Sequence, residues 1–229
     1  MTEVQKLIKY AAMALAIFLA VSIIGSIVGL LGLVTGIISR DGVSDRMTEY
    51  SVSAEVSSLE IEAGAAELQI IEGDVFSVKS NLKNLTVNDE DGVLSITEKK
   101  SFGIQYDGPI LTVTIPSGTT FGRVEIVTGA GRFTAAKLSC EKLRLEFGAG
   151  EVVIDELIAT KSAVIESGAS AVRIKGGALS NPEIEVGVGE FELTAAISGY
   201  GEISQGVGST SVTLLGEREG YRIDRKSVV

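Results

Sequence analysis

Three glutamates recur at almost equal intervals in the second half of the chain: Glu146, Glu166 and Glu185. Carboxylates held one repeat apart can gather a cation, receive a basic partner or work as an acid–base pair. Each stands two residues before a glycine, in the series Glu62, Val127, Glu146, Glu166, Glu185 and Ser204. On adjacent stacked strands, neighbouring members would lie roughly 5 Å apart and repel one another. Solvent screening tolerates such a row, and a bound cation or a basic partner would neutralise it. The row is expected to face solvent and be screened by it.

Other residue types suited to chemistry are few. The chain has no histidine and one cysteine, Cys140. An intrachain disulfide, a Cys/His metal cluster and the common nucleophile–base pairs are therefore excluded. Cys140 lies in Leu138-Ser139-Cys140-Glu141-Lys142, which reads as a turn with a structural role. The acidic stretch Asn88–Gly92 resembles the start of a calcium loop. It lacks the alternating aspartates, and its twelfth position would be Lys99 instead of Glu. Asp91-Gly92 between alternating apolar stretches reads instead as a β-hairpin turn. Asn84-Leu85-Thr86 matches a glycosylation acceptor pattern. No catalytic residue, metal or cofactor is expected.

The element that positions the glutamates is a repeat. Gly129, Gly148, Gly168, Gly187 and Gly206 are spaced 19, 20, 19 and 19 residues apart, and Gly64 opens a similar segment earlier. Three residues before these glycines stand Ile61, Ile126, Leu145, Ile165, Ile184 and Ile203. Four after them stand Leu68, Phe133, Val152, Val172, Phe191 and Thr210, and six after them Ile70, Ala135, Ile154, Ile174, Leu193 and Val212. Polar residues fill most positions between. Period-two alternation on both sides of a tight turn describes strands with one buried face. A single unit cannot bury that face alone, whereas stacked units join it into a continuous core. Gly-x-Gly recurs without a following helix, so these glycines read as corners and not as a phosphate cradle.

The expected fold class is all-β: a parallel β-solenoid of about six two-strand coils with a 19–20-residue repeat. The gap between Gly64 and Gly129 holds an insertion over about 72–116, with a hairpin at Asp91-Gly92, expected to cover the first coils as a cap or flap.

Ahead of the solenoid, residues 10–39 carry no charge. A helix of that length spans about 45 Å, against a hydrocarbon core of about 30 Å. It is expected to be one uncleaved transmembrane helix, being too long for a signal peptide's apolar region. Residues 1–9 form a tail, 40–50 a linker and 51–229 the solenoid domain. Lys6 and Lys9 favour the N-terminus inside and the β-domain outside, at the cell membrane. Gly25, Gly29, Gly32 and Gly36 fall on one helix face, a strip suited to a homodimer or another membrane-protein partner.

Residues 1–40 carry Lys6, Lys9 and Arg40 against Glu3, a charge of +2, so the remainder holds −12 of a chain whose net charge is −10. That balance excludes nucleic acid as a partner and disfavours lying flat on anionic lipid. The bilayer itself is expected to be met through residues 10–39 alone.

The strand end Val113-Thr114-Ile115-Pro116, the Gly-x-Gly coils from Gly129 to Gly208 and the Asp91-Gly92 hairpin together resemble a bacterial family of candidate adhesin domains. The resemblance covers about residues 50–226. It implies a β-solenoid of unknown function, often membrane-anchored and in some cases linked to envelope-stress signalling. Family members continue with a further Gly-rich strand after a segment such as Gly220–Asp224. The last coil here is therefore expected to be incomplete or closed differently. The expected function is that of a non-catalytic, adhesin-like scaffold at the cell surface, with a membrane-bound sensor or regulator as the alternative.

Overall fold

Apolar side chains alternating about a glycine corner must stack inward, and the computed structural model shows that pattern coil after coil. It describes residues 43–52, 55–99 and 108–224. The tail over 1–9, the helix expected over 10–39 and its glycine face lie outside the described residues. Among the described residues no helix is long and apolar enough to cross a membrane.

The strands in chain order are β1 (Val43–Ser51), β2 (Ser58–Gly73), β3 (Ser77–Leu82), β4 (Leu85–Glu90), β5 (Val93–Glu98), β6 (Ile110–Pro116), β7 (Phe121–Ile174), β8 (Gly177–Ser180), β9 (Pro182–Ser198) and β10 (Glu202–Leu214). A short 3-10 helix, Arg218–Gly220, follows. β7 carries the chain through successive coils without a break. β9 lies parallel on β7 with Ile165 opposite Ile184 and Val172 opposite Phe191. β10 continues on β9 with Ile203 opposite Ile184 and Val212 opposite Leu193. Ile165 and Ile184 are fully buried, as the repeat alignment requires. Each such side chain contributes about 1.5–3 kcal/mol of burial.

Each coil has a third short run beyond the two expected. Leu157–Ala159 pairs with Gly177–Leu179, and Ala178–Ser180 pairs with Ala196–Ser198. Its inward positions include Leu138, Cys140, Leu157, Ala159 and Leu179, all buried. Cys140 is thus a core residue of a strand and not a turn residue. The run is short and no glycine recurs in it from coil to coil (Gly177 marks one coil only), so alternation alone conceals it.

The insertion does more than cover an end. β5 lies parallel on Ser58–Glu62 of β2, and β6 lies parallel on Glu67–Gly73. Together they add a rung on the edge of β2 opposite to β7. Antiparallel strands then close that end, β4 on β5 and β3 on β6, with β1 outside β3. The stretch 40–50, expected as linker, thus supplies most of strand β1. Its charged residues suit an edge strand, where one side faces water. The hairpin at Asp91-Gly92 forms as expected, with φ of 52° and 75°, the left-handed pair that a two-residue turn requires.

The corners depend on missing side chains. A Cβ on Gly148 would lie 2.0 Å from the Gly129 carbonyl oxygen, and one on Gly150 1.8 Å from that of Gly131. Gly150 also has φ of +129°, which L side chains rarely adopt. At these two glycines stacked coils therefore approach more closely than a Cβ allows.

Candidate functional site

The first run of each coil, before the glycine corner, points two outward columns to solvent. The column two before the glycine holds Glu146, Glu166 and Glu185. The column four before it reads Glu60, Glu125, Arg144, Val164, Glu183 and Glu202. Strand register makes these true neighbours: Glu60 faces Glu125, Glu166 faces Glu185, and Glu183 faces Glu202. Beside the columns the bare corners Gly148, Gly168 and Gly187 leave an open groove of about 560 Å³, lined also by Glu146, Glu166 and Glu185.

The glutamate row is partly neutralised from within the chain. Arg144 Nε donates to Glu146 Oε1 at 2.6 Å, and its Nη2 donates to Glu166 Oε1 at 3.1 Å. The hydrogen bond donated to Glu146 raises the guanidinium pKa above its ordinary value, with further help from the charges of Glu146 and Glu166. Glu185, one rung on, makes no ion pair among the described residues. The structure therefore brings all three predicted glutamates onto one face and divides them into a paired two and an open one. Sequence reasoning missed Arg144, Glu183 and Glu202. The signal lay in the column four before the glycine, where acid dominates and a single arginine interrupts.

The second run, after the corner, is balanced differently. Arg132 reaches Glu151 at 2.8 Å, Arg173 reaches Glu192 at 2.5 Å and Lys175 reaches Asp155 at 2.7 Å, each across one rung. The hydrogen bond from Arg173, with its charge, lowers the Glu192 carboxyl pKa. On the first-run face only Arg123, Lys142 and Arg144 answer eight glutamates, and Arg123 is itself held by Glu125.

Chemically, such a face can hold cationic groups. Among the described residues no cluster of His, Cys, Asp or Glu is arranged to hold a metal ion. Burial pushes the Cys140 thiol up to about 12, so at neutral pH it is not the thiolate that nucleophilic chemistry needs.

The sequence profile of the Toastrack DUF4097 family matches residues 45–228. The chain belongs to this family. The match covers the antiparallel cap and the coils together, so the Toastrack domain spans nearly all that the structure describes. No curated protein matches the chain. Among solved structures, a candidate cell adhesion protein from Clostridium sporogenes is similar at 11% identity, covering 74% of this chain and 99% of that one, with a TM-score of 0.39. A candidate adhesin from Bacteroides fragilis is similar at 15% identity, covering 74% and 95%, with a TM-score of 0.40. A candidate lipid-binding protein from Parabacteroides distasonis is similar at 17% identity, covering 73% and 96%, with a TM-score of 0.30. The family assignment of this Toastrack domain rests on the sequence match.

Proposed function

We propose that this Toastrack domain is a non-catalytic interaction module of the cell surface. The helix expected over residues 10–39 holds it to the outer side of the membrane, and its acid-rich face receives a basic partner. The observation that carries this reading is the unequal charge of the two outward faces. The second-run face matches bases to acids across rungs, whereas the first-run face leaves Glu183, Glu185 and Glu202 adjacent and uncompensated. A sheet face that is already ordered binds without paying to order a loop. Surplus charge of one sign also speeds encounter with a partner of the other.

Two measurements test it. Protease added to intact cells should cleave the region after Arg40; full protection until lysis would place the domain on the inner side. The purified full chain should bind an oligolysine peptide in a salt-sensitive way. The double variant Glu183→Gln/Glu185→Gln should weaken that binding about threefold to tenfold, and Glu151→Gln/Glu190→Gln on the other face should not. Equal losses from both variants would show that net charge, and not this face, does the binding.

A further inference from the structure

The two ends of the solenoid are finished differently. At one end the antiparallel strands β1, β3 and β4 lie over the first rung. Charges mark those outer strands, among them Glu49, which pairs with Lys79 of β3 at 3.3 Å, and Glu90 of β4. β1 also carries a register shift between Val43 and Thr48. Charges and irregularities of this kind keep sheet edges from pairing with other chains.

β10 carries a single charge, Glu202 at its start, and no register shift against β9. It pairs with β9 along one edge, and among the described residues no strand pairs with the other. From Ile203 to Leu215 the chain has no charged residue and no proline. The matching stretch one coil earlier carries Glu185, Glu190 and Glu192, and the one before it Glu166, Arg173 and Lys175. The core columns also end open: Val212 is 39% exposed, although Leu193 beneath it is buried. Gln205 turns across this end, donating to the Gly189 carbonyl at 2.7 Å and accepting from Thr210. It brings polarity there without charge.

We propose that β10 is the joint for a second copy of this chain, which pairs its own β10 edge to edge about a two-fold axis. Charge selects this occupant. Two copies of a domain this acidic oppose like charges across the first-run face, where glutamates outnumber bases. Along Ile203–Leu215 neither copy presents a charge, and the alternation of half-buried Ile203 and Leu214 and exposed Val212 with Ser and Thr is its own complement. The two-fold joint uses up both free edges, and the charged caps at the far ends keep the assembly at two.

Sedimentation of the full chain in mild detergent, over a dilution series at micromolar concentrations, tests the proposal. A reversible monomer–dimer equilibrium is expected. Amide exchange along β10 should be slow in the dimer and should speed up on dilution, a readout that contacts between membrane helices would not move. Thr210→Lys sets a charge at an already exposed position and should weaken the dimer at least about tenfold. Thr86→Lys on β4 should leave the dimer intact. A monomer at every concentration, a dimer that survives Thr210→Lys with β10 still exchanging quickly, or filaments in place of dimers would each overturn the proposal.

Discussion

The two outward faces of the solenoid stand on nearly identical foundations. Beneath the first-run face lie Ile126, Leu145, Ile165 and Ile184, and beneath the second lie Phe133, Val152, Val172 and Phe191, all buried. Above them the faces diverge. One is laced across rungs by Arg132–Glu151, Arg173–Glu192 and Lys175–Asp155. The other gathers more glutamates than Arg123, Lys142 and Arg144 can match. The inward columns set the fold and leave the outward columns free, so a repeat can carry a self-satisfied surface on one side and an unsatisfied one on the other.

Breaking the corner that joins the faces should have the largest effect. In Gly150→Ala the new Cβ meets the Gly131 carbonyl oxygen at 1.8 Å, and the backbone is already at φ +129°. Neighbouring coils cannot move apart without losing their ladder. A loss above about 4 kcal/mol, or failure to fold, is expected in thermal and urea melts. A mild effect would mean that the corners are looser than the stacking distances imply.

The shared foundation can be tested next. Ile165→Ala lies under the first-run face and Ile174→Ala under the second. Both side chains are buried, and each substitution should cost about 2–5 kcal/mol. Very unequal costs would show that one face rests on a weaker column.

The third run offers a pH test that neither charged face supplies. Cys140 is fully buried, and desolvation pushes its thiol from 9.0 to about 12. The folded chain therefore keeps a proton that the unfolded chain releases. Stability from this group is complete below about pH 9 and falls as the pH climbs towards 12. Between pH 8.5 and 10 the parent should lose about 1 kcal/mol more than Cys140→Ala. Parallel pH profiles would assign the alkaline loss to other groups.

The smallest effect is expected at the surface. Glu166→Gln removes one partially exposed partner of Arg144 and also relieves its repulsion with Glu185. These changes oppose each other, so the melting temperature should move by less than about 3 °C, and added salt should shrink the shift. A larger, salt-resistant change would mean that the row holds structure as well as charge.

What could be read from the sequence was whatever repeats with a marker. The glycine corners, the columns that place Ile165 on Ile184, and the Asp91-Gly92 turn all carry a local physical signature. The third run lacked one: two inward residues, such as Leu138 and Cys140, are too few to establish a period. β1 was hidden because an edge strand keeps charged residues such as Arg46 and Glu49. The glutamate row was legible as a column, but Arg144 breaks a neighbouring column only once and therefore looked like noise. Pairing order was beyond local reading altogether, since nothing in Val93–Glu98 states which edge of β2 it will occupy.

That order has a consequence for how the chain is made. β2 lies between β5 and β6 on one edge and β7 on the other, yet all three are synthesised after it. Ser58 waits for Arg123, a closure across many residues, and until then β2 carries two free edges. Early assembly is therefore a long-range, slow event in which cap and first coil close together. Once β7 has docked, each new coil meets a finished template about 20 residues behind it, and growth becomes local and fast. A nascent chain halted just after β2 would expose the stickiest intermediate of the pathway, and one halted after β7 a nearly complete fold.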